Sequence, residues 1–221
     1  QKVNKEFAAQ VSGNVMFLLR SLQGRLAEID DMFQSRIGQH ASTPSYRVAS
    51  AQLHLMMGRE ERAREELEHL AANEFADLPR NWSMPLLLVQ LSEVAVALND
   101  TRRSDLLYDL MHPLGNYLVT FGPNNACLGS TRHWLGLLAG TLRRWDDAVA
   151  HFEAAMETNA RIGARPYLAR SQHEYGRMLI ERNATGNKEK ARLLLTEATA
   201  TYRELGMPTF LEDAEELMEN L

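Results

Sequence analysis

The chain has 221 residues, is 45 % hydrophobic and 24 % charged, and carries a net charge of −5 with acids and bases interleaved. That balance excludes wholesale disorder and disfavours a basic surface for nucleic acid. A single cysteine, Cys127, rules out an intrachain disulfide and fits a reducing, cytoplasmic setting.

No apolar run approaches the ~20 residues that span a bilayer, so no membrane partner is expected. The opening QKVNKEFAAQ lacks the apolar centre of a secretion signal. It starts with Gln and runs straight into helical sequence, as a piece cut from a longer polypeptide would.

Over residues 4–22, Phe7, Val11, Val15, Leu18 and Leu22 recur at helical spacing, and Gly24 marks a turn. Leu26, Ile29, Met32, Phe33 and Ile37 predict the partner helix. Thr43-Pro44 starts a third helix that Gly58 closes, and 59–72 form a fourth. After a connector over 73–84, helices are expected at 85–98 and 101–112, with Asn99-Asp100 between them and Pro113 as a stop. Residues 114–128 are the least regular part, with a short apolar run from Tyr117 to Phe121 that suits a short helix or an extended excursion. Two further hairpins are predicted over 129–163 and 166–205, and a last helix over 209–221 has the polar outer face of a cap.

The hairpins (4–38, 44–72, 85–113, 129–163, 166–205) align on small residues. First-helix anchors are Phe17, Ala51, Ser92, Gly136 and Gly176; second-helix anchors are Ile29, Ala63, Ser104, Ala148 and Ala191. The two anchors lie twelve residues apart in the first four hairpins and fifteen apart in the last. Small side chains at both positions let two helix backbones approach closely. Phe17 and Ile29 break that rule, which makes the first hairpin a candidate cap.

Leu135-Gly136, then Ala148, Phe152 and Ala155, resemble a tetratricopeptide (TPR) repeat. The expected fold is therefore all-α: one domain over 1–221, built as a right-handed TPR-like superhelix of antiparallel helix hairpins. The stretch from Leu135 to Pro208, with LQGRLAEIDDMF, LMMGREERAREELEHLA and LLYDLMHPLG upstream, resembles the TPR-like C-terminal region of large bacterial signalling ATPases. These include MalT/LuxR-type transcription regulators and nucleotide cyclase–ATPase fusions. The resemblance implies a non-catalytic arm that binds a protein or peptide segment, attached ATPase or cyclase domains among them. It also admits a small effector such as a sugar, or self-association into an oligomer. ATP hydrolysis does not carry over, because no G-x-x-x-x-G-K-[ST] is present.

The seven histidines form no metal-binding motif, no G-x-S-x-G elbow occurs, and no cofactor or enzyme activity is expected. In such an array the first helix of each hairpin lines the inner wall. Side chains one residue after each anchor, or three before it, are expected there: Val48, Gln52, Val89, Glu93, His133, Leu137, His173 and Arg177, with Arg170 on the same face. Arg170, His173 and Arg177 suit a carboxylate or phosphate; the plainer reading is solvated charge on a helix.

Overall fold

The computed structural model describes residues 12, 13, 15–40, 43–121 and 126–221. Helix dominates. Residues 15–22 are helical (α1). They are followed by α2 (Asp30–Gln39), α3 (Pro44–Met56), α4 (Glu60–Ala71), α5 (Met84–Ala97) and α6 (Thr101–Met111). Then come β1 (Leu118–Phe121), β2 (Ala126–Ser130), α7 (Arg132–Thr141), α8 (Trp145–Arg161), α9 (Arg165–Arg182), α10 (Asn187–Leu205) and α11 (Pro208–Glu219). The part of the first expected helix over 4–11 lies outside the described residues.

Local chemistry sets the boundaries. Proline occupies the first turn of α3, α5, α9 and α11, where its missing N–H costs nothing. The Asp100 carboxylate caps α6 by accepting the Arg103 N–H at 3.0 Å. Three turns reverse the chain in the same way. The amides of Arg59, Asp100 and Arg144 donate to the carbonyls of His54, Ala95 and Ala139 at 2.8, 2.9 and 2.8 Å. The residue before each amide, Gly58, Asn99 or Arg143, has φ of 70°, 50° or 56°, the left-handed stop that ends a helix. Each turn folds its second helix back onto its first, pairing α3 with α4, α5 with α6 and α7 with α8; α9 pairs with α10.

The small anchors lie between the paired helices. Ala51, Ala63, Ser92, Ser104, Ala148 and Ala191 are fully buried, and so are Gly136 and Gly176. A Cβ on Gly136 would meet the Phe152 ring at 2.9 Å, and one on Gly176 would meet Leu195 at 3.0 Å. Gly136→Leu should therefore lower stability by about 1–3 kcal/mol through overpacking. A thermal melt unchanged from the parent would contradict this placement.

The pairs stack through their first helices: α3 on α5, α5 on α7, α7 on α9. Most of the buried apolar side chains form one cluster from Phe17 to Leu194; a smaller cluster around Tyr202, Met207 and Ala214 includes Leu22 of α1. Residues 114–128 include an extended excursion, β1 pairing antiparallel with β2 across a bulge between Val119 and Thr120. The all-α expectation holds for the array but not for this insertion. It is fastened at Gly129, with φ of 85° and its Cα so close to Asn159 that a Cβ would lie 2.5 Å from Oδ1. Cys127 in β2 is exposed.

One boundary differs from expectation. Leu26 and Ile29 do not belong to the helix of Phe33 and Ile37: residues Leu26–Glu28 form a 3-10 turn and α2 starts after Ile29. The last helix also packs against the start of the described chain. Leu22 packs on the α11 cluster, and a Cβ on Gly24 would lie 2.2 Å from the Thr209 hydroxyl oxygen.

Candidate functional site

The row of first helices converges on one carboxylate. Glu93 of α5 accepts from three helices: Gln52 Nε2 of α3 at 2.8 Å, Trp134 Nε1 of α7 at 3.1 Å and Arg170 of α9 at 2.8 Å. Gln90 Nε2 donates to Gln52 Oε1 at 2.6 Å and completes the chain. The ion pair is only 16 % and 15 % exposed at Arg170 and Glu93. Burial opposes the Arg170 charge, but the Glu93 carboxylate and the Tyr167 hydroxyl outweigh it and raise its pKa. The guanidinium also faces the rings of Tyr167 and Phe210, with centroids at 5.7 and 5.3 Å.

Two further polar groups flank this seam. His133 is fully buried, with Nδ1 3.1 Å from Ser171 Oγ. Ser171 Oγ donates to the Tyr167 carbonyl and accepts from Asn159 Nδ2, so Nδ1 carries the proton toward Ser171. Nε2 is then a bare lone pair with no partner among the described residues. Burial, with Arg170 and His173 nearby, pushes this imidazole well below its usual range. His173 is also buried, 3.3 Å from Arg177 and from the Tyr202 hydroxyl. Burial holds its pKa down too, with Glu174 and Asp213 opposing and Arg177 adding.

These contacts correct the expected disposition of the inner-wall residues. Gln52, His133 and His173 are buried, as are Val48 and Val89, rather than facing open solvent. Arg170, His173 and Arg177 do share a helix face, yet they do not form a vacant anion cradle. Arg170 is taken by Glu93, and Arg177 by Asp213 at 2.6 Å and Glu174 at 3.1 Å. Helical spacing predicted the shared face; it held no information on the carboxylates that α5 and α11 bring to it.

Leu137 and Arg177 line an open cleft of about 470 Å³, with Val96, Thr141, Glu174 and Glu181 around them. It lies between the C-terminal ends of α5, α7 and α9 and carries both charge signs. The other half of the row is covered by α1. Phe17, Leu18, Ser21 and Leu22 face Gln52, Gln90, Glu93, Trp134 and Arg170 across a void of about 30 Å³, room for about one water. A third concavity, about 270 Å³, is walled by Phe17, Phe33, Tyr46, Trp82 and Phe121, with Arg36 at its edge.

Sequence reasoning missed Gln90, Trp134, Tyr167 and Phe210 as members of the seam. Gln90 and Trp134 each lie two residues before an anchor, a periodic signal in hindsight. Nothing local marks Phe210. Among the described residues, no helix is long and apolar enough to cross a membrane, and no group of three or more His, Cys, Asp or Glu side chains is placed to hold a metal. Protein-family profiles, curated proteins and solved structures give no match to the chain.

Proposed function

We propose that the chain is a TPR-like right-handed superhelix that docks a protein or peptide segment along its row of first helices, as the non-catalytic arm of a bacterial signalling or transcription regulator. The observation that carries this reading is the open cleft at Leu137. Its walls come from three successive helix pairs, so an extended segment has several independent contacts, and its paired charges suit a segment carrying both signs. The Glu93 seam beneath the covered half ties α3, α5, α7 and α9 together, so a bound segment acts on a connected row.

Leu137→Arg with Glu181→Arg, two positions at the cleft that are not fully buried, should abolish retention of a partner by the immobilised chain without lowering the melting midpoint. Retention equal to the parent would overturn the reading.

The aromatic concavity favours a second reading, a small-effector site: five rings and Arg36 match an apolar body with a polar tip. Titrating Trp82 fluorescence with a panel of sugars separates the two, since only this reading predicts a saturable change.

A further inference from the structure

The helix α1 lies where a docked segment would lie. It runs from the rings of Phe33 and Phe121 to the terminal cluster of α11. Phe17 stacks against Phe121 and tilts on Phe33, with ring centroids at 6.2 and 5.1 Å. Leu22, little more than one turn later, packs with the terminal cluster of Phe210, Leu211 and Leu217. Between them Leu18 and Ser21 face the Glu93 seam.

The fit is incomplete in three respects. Among the described residues, no side chain of α1 hydrogen-bonds to Gln52, Gln90, Glu93 or Arg170; Ser21 bonds back to the Leu18 carbonyl, and Arg20 bonds to Gln23 and forms an ion pair with Glu28. The seam is satisfied by its own members, so removing α1 orphans none of its polar groups. A small void separates the two surfaces. Finally, Met16 and Leu19 stay 40 % and 48 % exposed, so α1 buries only one stripe while carrying apolar side chains on two.

We propose that α1 is a displaceable cover, and that the surface beneath it receives an amphipathic partner helix bearing the same stripe: an aromatic residue at i and leucine, a small polar residue and leucine at i+1, i+4 and i+5. This rests on the reading of the helix row as a docking surface and names its second half. A tethered helix is present at high effective concentration, so a partner in trans must outcompete it or arrive when α1 is drawn away. The row is thus gated by α1.

The probe is a fluorescent peptide with the sequence of residues 12–24, added to the full chain. Phe17→Asp with Leu22→Asp should free the surface and tighten peptide binding at least about tenfold over the parent. A peptide carrying the same two substitutions should not bind. A Cβ on Gly24 would lie 3.5 Å from the Thr209 Cβ, within reach of a disulfide; a cysteine there is strained at φ of 66°, so the reduced form of the same variant, which carries the same strain, is the reference. Gly24→Cys with Thr209→Cys, in a Cys127→Ser background, should therefore lose binding when oxidised and regain it when reduced. Equal affinities in the parent and the released variant, or undiminished binding by the oxidised lock, would overturn the proposal. So would failure of the Asp variant to fold cooperatively, because α1 would then be core and not cover. Those failures leave the Leu137 cleft untouched, whereas arginine at Leu137 and Glu181 tests the cleft and leaves the peptide surface intact.

Discussion

Replacing Glu93 with alanine should lower the melting midpoint by about 6–12 °C. The carboxylate is the shared acceptor for Gln52, Trp134 and Arg170, and its removal strands a guanidinium between α5 and α9. Breaking a buried ion pair from one side costs about 3–5 kcal/mol. Here both partners retain some solvent contact, 16 % and 15 %, which places the loss near the lower end, about 3 kcal/mol. In a chain of 221 residues each kcal/mol moves the midpoint by about 2–4 °C. Glu93→Gln should cost less, because its carbonyl still accepts from two of the three donors. Combining Glu93→Leu with Arg170→Met should recover most of the loss, since the charge is removed together with its partner. Thermal melts of the parent, Glu93→Leu, Arg170→Met and the double variant decide it, and additive losses would mean that the two side chains do not depend on one another.

Acid should destabilise the protein through its histidines before its carboxylates titrate. His151 is held to a pKa of about 4 by burial, with Arg132 and His112 adding to it. Arg132 donates to its Nδ1 at 3.2 Å, so the Nε2 proton goes to the Tyr108 hydroxyl at 3.0 Å. A second proton would have to enter at Nδ1, against the guanidinium. An unfolded histidine titrates near 6.5, so between the two values the unfolded chain holds a proton that the folded chain refuses. Stability is then complete above about pH 6.5 and falls as the pH drops toward 4. His151 alone accounts for about 2 kcal/mol lost by pH 5, or about 4–8 °C. His133 and His173, also lowered chiefly by burial, shift in the same direction. The lowered carboxylates of Asp30 and Asp100 lose their contribution only at lower pH. Melts at pH 7.5 and 5.0 should differ by at least the His151 share, and His151→Gln should narrow the gap. Equal midpoints at the two pH values would contradict the neutral assignment of these rings.

The helix pairs were legible in the sequence because their causes are local. Ala51, Gly136 and Ala148 read as contact points since only small side chains suit a close helix approach, and Gly58 and Asn99 read as turns since they tolerate positive φ. Arg143 at the equivalent turn has no such marker, and only its place in the repeat betrays it. The seam was half legible. Spacing placed Gln52, Glu93 and Arg170 on inward faces, but the sequence separation of 77 between Glu93 and Arg170 hides their pairing. Phe210 and Asp213 come from the last helix, whose polar outer face suggested a cap. The position of α1 was not legible at all. Phe17 and Ile29 broke the small-residue rule, a hint that the first helix does not form an ordinary pair; where it goes instead depends on a surface assembled from residues 52 to 210.

Hydrogen exchange tests the central claim most directly. It would be followed over the full chain with and without a saturating, isotope-labelled peptide of residues 12–24. The chain's own residues 15–22 should lose protection when the peptide binds, while α5 and α9 keep theirs because the Glu93 seam stays intact beneath either helix. Unchanged protection over 15–22, or loss of protection across α5 and α9 together with it, would mean that the first helix is a fixed part of the core and that no docking surface lies beneath it.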